Sequence, residues 1–326
     1  MTVSLDKTNG QVEARIAVEH LRPFQTHLRS VLLGKERELD FVIACLLSQG
    51  HLLLDDLPGT GKTTLAKAIA KGLGGTLSRV QCTPDLMPAD ITGFSMFNQQ
   101  TREFEFHDGP VFADVLLADE LNRTTPRTQS ALLEAMAERQ VSVDGKTRGL
   151  SPNFFVIATQ NPIDSHGAYP LPEAQLDRFS VKLKIGYPDR DAQRKILQRE
   201  VLPGDSEPSK CEPENAVPLP LDQLRALQES TRKVEVSERV VDYLIDLVEA
   251  TRSESDVELG VSPRGMMLWQ AIAQSWAFMQ GRDFVTPTDI AETAQPVLSV
   301  RLLTRADSVD SVIERILASV PAPEYK

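Results

Sequence analysis

The sequence predicts an α/β fold followed by a helical region, because its apolar residues change pattern along the chain. Short apolar runs at 52–54, 79–82, 115–118 and 154–158 are bounded by polar or turn residues, and helical patterns separate several of them. This alternation is typical of parallel strands with helices on both faces of a sheet. Beyond residue 220 the patterns are helical, and 326 residues suffice for two domains.

The predicted boundaries divide the chain into four parts. An N-terminal helical segment covers 1–30, with an amphipathic pattern from 12 to 30, and an α/β core covers 31–201. The stretch 202–220 has five prolines and no apolar periodicity, which indicates a linker. A smaller all-helical domain covers 221–326, with helices predicted near 221–231, 237–252, 263–280 and 287–300.

Three helices are predicted to begin at a cap residue followed by proline. The pairs are Thr125-Pro126, Ser262-Pro263 and Thr286-Pro287. Serine and threonine oxygens accept hydrogen bonds from the first turn, and proline lacks the N–H that would be unpaired there. Further on, Trp269 and Trp276 lie seven residues apart on one helix face, which is typical of a packed core.

Composition argues against several classes of protein. The net charge is −11, whereas nucleic-acid binding favours positive charge, so the expected partner is a protein client. No apolar run approaches the roughly 20 residues of a membrane-spanning helix, and residues 1–11 are too polar for a signal peptide, which predicts a cytoplasmic protein. The three scattered cysteines and five histidines show no spacing typical of disulfides or of a zinc site.

A glycine-rich turn follows the first apolar run, in "LLLDDLPGTGKTT". Gly59 and Gly61 would let backbone N–H groups approach a polyphosphate at the start of the next helix. Lys62 would place a positive charge on the outer phosphates, and the Thr63 hydroxyl suits Mg²⁺.

Asp56 occupies the position where the common phosphate-loop pattern has its first glycine. Aspartate tolerates unusual backbone angles, so the turn can survive, but a carboxylate facing the phosphates would weaken nucleotide binding. On the pattern alone, Asp56→Gly should bind ATP at least as well as the parent.

The run "VLLADE" (115–120) predicts a buried strand that ends in two carboxylates. A hydrolytic phosphate-loop enzyme needs one carboxylate near its metal and another to orient the attacking water, roles that suit Asp119 and Glu120. Two acids at a strand end could simply begin a loop, but the upstream lysine loop favours the functional interpretation. The next strand, "FFVIATQNP" (154–162), would let Asn161 touch the γ-phosphate or the water.

Five sequence blocks carry a resemblance to a known family. They are "PGTGKT", "LLADELNRTTPRTQSALLEAMAERQVSVDG", "IATQNP", "YPLPEAQLDRF" and "SPRG". In this order they closely resemble the MoxR group of AAA+ ATPases, over about residues 28 to 305. The resemblance implies a P-loop AAA+ core with a five-stranded parallel sheet, a helical lid, and ATP bound between them. It also implies assembly into a homo-oligomeric ring, usually a hexamer.

The resemblance further implies the residues that bind ATP and Mg²⁺. Thr63 and Asp119 would hold the metal, and Glu120 would polarise the attacking water. Gly34, in "VLLGKERE", lies where the family places backbone against adenine. The residues expected in the phosphate loop are Pro58, Gly59, Thr60, Gly61, Lys62, Thr63 and Thr64.

Three more residues match positions that respond to the nucleotide. Asn161 matches sensor 1, and Arg178, in "LDRF", matches the arginine finger that reaches a neighbour's γ-phosphate. Arg264 matches sensor 2, which would couple the lid to the nucleotide. On the residues alone, Arg178 could equally be a surface arginine in an ordinary ion pair. Arg123, beside the carboxylates, could be a structural partner of an acid or an interface residue.

Two insertions are predicted to be β-hairpins. Residues 93–110 alternate phenylalanine with glutamate around a turn near 98–102, and residues 139–151 have an Asp-Gly turn at 144–145. Both resemble insertions of the AAA+ branch that includes Mg-chelatase and MCM-type motors, in which they face the central channel or a partner. Hairpins that only pack the ring interface are the alternative.

The resemblance implies a chaperone-like ATPase that remodels or matures a protein client, often with a partner that carries a von Willebrand factor A domain. A metal-chelatase motor subunit is an alternative, and so is a nucleic-acid motor, which the acidic charge disfavours. Glu120 and Arg178 together speak against a non-hydrolysing ATP switch, which needs neither residue.

Overall fold

The computed structural model describes residues 4–161, 169–200, 219–305 and 308–323. The predicted linker 202–220 lies outside these residues except for Leu219 and Pro220, and Cys211 lies outside them too. The α-helices of the described residues are α1 (Ser4–Val31), α2 (Glu36–Leu47), α3 (Lys62–Leu73), α4 (Pro88–Thr92), α5 (Pro126–Glu138), α6 (Glu173–Leu176), α7 (Arg190–Glu200), α8 (Leu221–Arg232), α9 (Glu238–Ser253), α10 (Pro263–Met279), α11 (Pro287–Leu298) and α12 (Val309–Ser319).

The strands of the described residues fall into one central sheet and three two-stranded ribbons. They are β1 (Leu52–Asp55), β2 (Leu77–Gln81), β3 (Gly93–Asn98), β4 (Glu103–Asp108), β5 (Val115–Asp119), β6 (Gln140–Val143), β7 (Lys146–Gly149), β8 (Phe155–Gln160), β9 (Val181–Leu183), β10 (Val257–Leu259) and β11 (Leu303–Thr304).

The central sheet has five parallel strands in the order β2-β5-β8-β1-β9. Four of them coincide with the predicted apolar runs. The edge strand β9 was not predicted, because its three residues are too few to show a periodicity. It pairs with β1, with Val181 opposite Leu52. The sheet confirms the predicted α/β core.

Side chains of the sheet alternate between two hydrophobic clusters, one on each face. On β1, Leu52 and Leu54 belong to one cluster and Leu53 to the other. The first cluster includes residues of α1, α2, α3 and the C-terminal helices, and the second includes residues of α4 and α5. Both faces are therefore covered, as a parallel sheet requires.

The C-terminal helices form the predicted lid and pack directly on the core. Trp269 is fully buried, and Trp276 stacks on Phe41 of α2 with ring centroids 4.5 Å apart, so the predicted core role of both tryptophans is confirmed. Helices α8–α11 lie close to the four predicted segments. The prediction omitted α12 and the short antiparallel pair β10–β11.

Two of the three predicted caps are confirmed. Ser262 Oγ accepts the N–H of Gly265, and Thr286 Oγ1 accepts the N–H of Asp289. The third side-chain cap is wrong, because Thr125 Oγ1 accepts no backbone N–H of α5 and instead lies 3.2 Å from the hydroxyl oxygen of Thr128, although that helix does begin at Pro126.

Both predicted hairpins are present and contact each other. Strand β3 pairs with β4 around residues 99–102, and β6 pairs with β7 around Asp144 and Gly145, both of which have positive φ as a tight two-residue turn requires. The Arg148 guanidinium lies 3.7 Å from the ring centroid of Phe106, which joins the two ribbons. Within the described residues, no helix has the length and apolar character needed to cross a membrane.

Candidate active site

The glycine-rich turn links the end of β1 to the start of α3. Gly59 and Gly61 have φ of 82° and 92°, a region that side chains other than glycine rarely adopt. A Cβ built on either glycine would meet no atom within 4 Å, so the space beside both glycines is open. Since the first N–H groups of a helix lack intrahelical partners, the glycine-rich turn and the first turn of α3 offer donors to an anion, and we call this set of donors the cradle.

Lys62 is held against this turn. Its Nζ donates hydrogen bonds to the carbonyl oxygens of Asp56 (2.9 Å) and Leu57 (3.0 Å), and Thr60 Oγ1 donates to Leu57 as well (3.1 Å). Pro58 and Thr64 are exposed and Thr63 is half-buried at the start of α3. The loop residues predicted from the sequence thus surround one open cradle.

Asp56 braces the turn from outside the cradle. It is 5% exposed, and its carboxylate accepts the N–H groups of Ile185 (2.5 Å) and Gly186 (3.0 Å), beyond the end of β9. Its φ is not positive, so the tolerance of aspartate for left-handed backbone is not needed here. The carboxylate is occupied by these two donors instead of facing the phosphate position.

The two predicted carboxylates lie at the end of β5. Asp119 is 8% exposed; its Oδ1 accepts the Thr159 hydroxyl (2.9 Å) and its Oδ2 accepts Arg79 Nη2 (2.8 Å). Glu120 has φ 58° and ψ 50°, a left-handed conformation that is uncommon for glutamate and is frequent at functional sites. Its Oε2 lies 3.0 Å from Arg123 Nε, so Arg123 is a partner of the acid.

Two residues of this cluster were missed by the sequence reasoning. Thr159 is fully buried on β8, and besides contacting Asp119 its Oγ1 accepts the N–H of Glu120 (2.8 Å), so one hydroxyl aligns both acids. Arg79 reaches Asp119 from β2. A threonine and an arginine inside strands give no local signal, because their partner is on a neighbouring strand.

Strand order brings the predicted groups to one edge of the central sheet. Strand β8 lies between β5 and β1, and Asn161 follows β8 directly. The cradle, both carboxylates and Asn161 therefore lie on the side where the strands end, which we call the carboxyl edge. Ligands of open α/β sheets bind at this edge.

Gly34 lies in the turn between α1 and α2, with φ 71°. A Cβ there would lie 3.3 Å from the Cβ of Ala192 at the start of α7, so a larger residue would be both strained and crowded. The segment before α7 is the one that Asp56 binds through Ile185 and Gly186. The Gly34 turn is thus linked to the loop through one intervening segment.

Arg178 and Arg264 lie at the opposite side of the sheet, which we call the amino edge. Arg178 precedes β9, and its Nη1 donates to the carbonyl of Leu133 in α5 (3.3 Å), while its Nε is buried without a hydrogen-bond partner. Arg264 is exposed in the first turn of α10. The four residues of β1 separate the two edges by roughly 13 Å.

Burial shifts the pKa of groups near both edges. His51, which precedes β1, has its pKa lowered to about 3, first by burial and then by the charges of Arg139 and Arg264. Burial lowers the pKa of Arg301 to about 10, an effect that Asp177 opposes. At the carboxyl edge, burial and the two carboxylates raise the pKa of Cys82 to about 12, so this thiol is inert near neutral pH.

The oxygen atoms of Thr63 and Asp119 suit Mg²⁺. Mg²⁺ is commonly held by one or two protein oxygens together with substrate phosphates. In the described part of the chain, no group of three or more His, Cys, Asp or Glu side chains is arranged to hold a metal by itself. The donor set therefore fits a metal that is bound together with a phosphate group.

Comparisons with known proteins agree with this geometry. Residues 51–181 match the model of the ATPase family associated with various cellular activities (AAA), and residues 249–317 match the AAA lid domain. The chain is 41% identical over 304 residues to the uncharacterized protein YeaC of Bacillus subtilis, covering 91% of this chain and 93% of that protein. It is 40% identical over 313 residues to Chaperone MoxR1 of Mycobacterium tuberculosis, covering 91% and 81%.

A further relative and a solved structure support the same assignment. Protein MoxR of Paracoccus denitrificans is 30% identical over 328 residues, covering 93% of this chain and 96% of that protein. A crystal structure of a candidate ATPase from Cytophaga hutchinsonii superposes with a TM-score of 0.86 at 30% identity, covering 98% of this chain and all of that one. From the coverage and identity of these matches, the chain belongs to the MoxR family of AAA+ ATPases.

Proposed function

We propose that this protein binds and hydrolyses ATP with Mg²⁺ and uses the reaction to remodel or mature a protein client. The observation that carries the proposal is the convergence of the open cradle, Asp119, Glu120 and Asn161 at the carboxyl edge. These are the groups that phosphoryl transfer to water requires, namely donors for the phosphates, a metal site and an acceptor for the water proton.

Binding depends on the loop 58–64. Its backbone N–H groups and Lys62 contact the phosphates. Thr63 and Asp119 would hold Mg²⁺, which would supply positive charge to the phosphate oxygens. Lys62 Nζ exchanges its two carbonyl partners for phosphate oxygens. The Gly34 backbone lies beside the adenine. The link from this turn to the phosphate loop, through the segment that Asp56 binds, supports that placement.

Hydrolysis depends on Glu120 and Asn161. Glu120 orients a water molecule and accepts its proton as the oxygen attacks the γ-phosphorus, and Asn161 contacts the γ-phosphate or the water. The bond between the γ-phosphorus and the oxygen that bridges it to the β-phosphate breaks, and ADP and phosphate leave. In the structure Glu120 Oε2 lies 3.0 Å from Arg123 Nε and 3.4 Å from Gln81 Nε2. When the water is bound, the Glu120 side chain leaves these two contacts and accepts a hydrogen bond from the water.

The site is completed by a second copy of the chain in a homo-oligomeric ring, as is usual for hexameric AAA+ proteins. Arg178 and Arg264 lie on the amino edge, which the length of β1 separates from the carboxyl edge by roughly 13 Å. Two arginines on that edge can face the carboxyl edge of a neighbouring chain, where they stabilise the charge of the transferring phosphoryl group. Nucleotide state in one chain is thereby reported to the next.

The client is a protein in the cytoplasm, and a partner with a von Willebrand factor A domain assists. The name of the 40% identical relative, Chaperone MoxR1, supports the chaperone-like role. The ribbon β3–β4 offers exposed apolar side chains for such a client, including Phe104 at 74% exposure.

A Glu120→Gln variant tests the proposal. The amide keeps the shape of the side chain but accepts no proton. The variant should therefore bind ATP with near-parental affinity and hydrolyse it at least about 10²-fold more slowly. Isotope-labelled affinity capture with and without ATP then identifies a client held by the trapped ring. Hydrolysis at the parental rate would refute the role of Glu120, and ATP-independent capture would refute a nucleotide-driven client cycle.

A further inference from the structure

The segment that carries Arg178 is fastened to the lid by three residues, the half-buried Asp177 and Ser262 and the buried Arg301, which we call the Asp177 cluster. Asp177 Oδ2 accepts the hydroxyl of Ser262 at 2.5 Å, and Asp177 Oδ1 lies 3.0 Å from Arg301 Nε. The side chain of Arg301 is only 2% exposed. A carboxylate of the core is therefore held between two residues of the lid.

Arg301 also holds the backbone of the same segment. Its Nη2 donates to the carbonyl of Phe179 (2.6 Å), and its Nη1 donates to those of Ser180 (3.1 Å) and Val297 (2.7 Å), the last in α11. A planar guanidinium with five donors can satisfy such a set, whereas lysine cannot. The residues on both sides of Arg178 are thus fixed relative to α11.

The same cluster fixes the start of α10. Ser262 Oγ accepts the N–H of Gly265 at 2.9 Å while its hydroxyl donates to Asp177. A Cβ on Gly265 would lie 2.8 Å from Arg301 Cδ, so only glycine leaves room for the arginine to pass. Arg264 lies between Ser262 and Gly265, and its orientation therefore follows that of the cluster.

We infer that Asp177 is a positioning residue that holds Arg178 and Arg264 as one unit, so that both reach the nucleotide of the neighbouring chain together. The inference deepens the proposed function and rests on it. Asp177 adjoins Arg178 in sequence, its Ser262 contact anchors the helix turn with Arg264, and its carboxylate offsets the charge of Arg301. Without that carboxylate the two arginines lose their common anchor.

Asp177→Asn removes the charge and keeps the size of the side chain. The matched control is Asp289→Asn, because Asp289 is 1% exposed and forms a two-bond pair with Arg282 (both 2.6 Å) entirely within the lid. Both substitutions leave a guanidinium without its carboxylate. Only Asp177 contacts the segment that carries Arg178, so the control measures what lid destabilisation alone does to ATPase activity.

For Asp177→Asn we expect kcat to fall by about 10- to 100-fold, with the dissociation constant for ATP and the KM changed by about twofold at most, since misplacement affects the transition state more than binding. Asp289→Asn should keep kcat within about twofold. Mixing Asp177→Asn with inactive Lys62→Ala should restore part of the ATPase activity. The Lys62→Ala chain supplies an intact Arg178 to the intact cradle of its neighbour.

Three results would overturn the inference. The first is a raised KM with unchanged kcat in Asp177→Asn. The second is a loss of kcat in Asp289→Asn equal to that in Asp177→Asn. The third is no recovery of ATPase activity when Asp177→Asn is mixed with Lys62→Ala, under conditions in which the mixture of Arg178→Ala with Lys62→Ala does recover activity. Failure of the Arg178→Ala mixture itself, in rings proven to be mixed, would refute the shared site of the proposed function.

If Asp177→Asn does not fold, Ser262→Ala replaces it, with Thr286→Ala as its control. Each removes one side-chain cap of a lid helix, and only Ser262 also contacts Asp177. A kcat loss confined to Ser262→Ala supports the inference, and equal kcat values in the two variants contradict it.

Discussion

The two edges of the central sheet carry opposite chemistry. The carboxyl edge has an open cradle of N–H groups with two carboxylates beside it, and Asp56 and Thr159 align these groups through buried hydrogen bonds. The amino edge has arginines, of which Arg301 is buried and Arg264 is exposed. The difference teaches that one chain places its cradle and its arginines on opposite sides of the same sheet, which is the arrangement that the proposed site shared between two chains requires.

The largest effect is expected at the amino edge. Arg178→Ala should lower the rate of ATP hydrolysis by on the order of 10³–10⁵-fold, the range known for an arginine that contacts the transferring phosphoryl group. ATP binding, measured by titration of a fluorescent analogue, should be near parental because the cradle is untouched. Arg239→Ala on the surface of α9 serves as the control. Parental hydrolysis by Arg178→Ala would remove the amino edge from the reaction.

Lys62→Ala breaks the carboxyl edge in the opposite way. Charge-assisted hydrogen bonds contribute about 1.5–3 kcal/mol each, so losing two to phosphate should weaken ATP binding by about 10²–10⁴-fold. Calorimetric titration measures the affinity, and circular dichroism verifies that the fold is retained. Affinity within tenfold of the parent would argue against the phosphate loop.

Asp56→Gly tests whether the common phosphate-loop pattern or the hydrogen bonds of Asp56 decide which residue is best at this position. The sequence pattern favours glycine, but the substitution would leave the N–H groups of Ile185 and Gly186 without an acceptor. We therefore expect the free energy of unfolding to fall by about 2–5 kcal/mol, measured by denaturant titration. Asp55→Ala, which removes the 3.1 Å contact to the Lys182 side chain, should cost about 1 kcal/mol. Equal losses in the two variants would show that Asp56 has no special bracing role.

The ribbon β3–β4 is separate from the central sheet and tests whether client binding is separable from ATP hydrolysis. Phe104 is 74% exposed, whereas Phe106 packs on Phe112 and Arg148. Phe104→Ser should reduce client capture by Glu120→Gln rings about tenfold, as loss of a buried aromatic anchor does, with unchanged ATPase activity. Phe106→Ser is the control for a disturbed ribbon. Joint loss of ATPase activity and ring assembly in Phe104→Ser would favour the packing alternative.

The smallest effect concerns pH at the amino edge. Because burial lowers the pKa of His51 from 6.5 to about 3, the unfolded chain binds a proton below pH 6.5 that the folded chain does not. Above pH 6.5 His51 is neutral in both states and does not lower the free energy of unfolding. As the pH falls from 6.5 toward 3, the unfolded chain gains a proton at His51 and the folded chain loses stability relative to it. Between pH 7.5 and 5.8, above the isoelectric point near 5.1, the loss should be about 1 kcal/mol.

His51→Asn isolates this contribution, since asparagine offers an oxygen to the Val156 N–H and does not titrate in this range. Denaturant titrations at the two pH values should differ less for this variant than for the parent. An unchanged pH dependence would assign the acid sensitivity to other groups.

Much of the carboxyl edge could be predicted from sequence, because its residues are contiguous with strand ends. The loop at 58–64 begins a few residues after the apolar run of β1, and the pair Asp119 and Glu120 follows the apolar run of β5 directly. The role of Asp56 could not be predicted, since its two donors lie 129 and 130 residues away. The sequence also could not predict the partner of Arg123. Its contact with Glu120 depends on the left-handed backbone conformation of that acid, which the sequence does not indicate.

By itself, the sequence determined the α/β core, the helical lid, both hairpins and the phosphate loop, because periodicity, glycine and proline act locally on the backbone. Only the tertiary structure decided that Arg178 and Arg264 lie across the sheet from their own cradle, and that Asp177, Ser262 and Arg301 join them. These placements depend on strand order and on how the lid packs against α2. Both arise from burying apolar surface over distant parts of the chain, which no local pattern encodes.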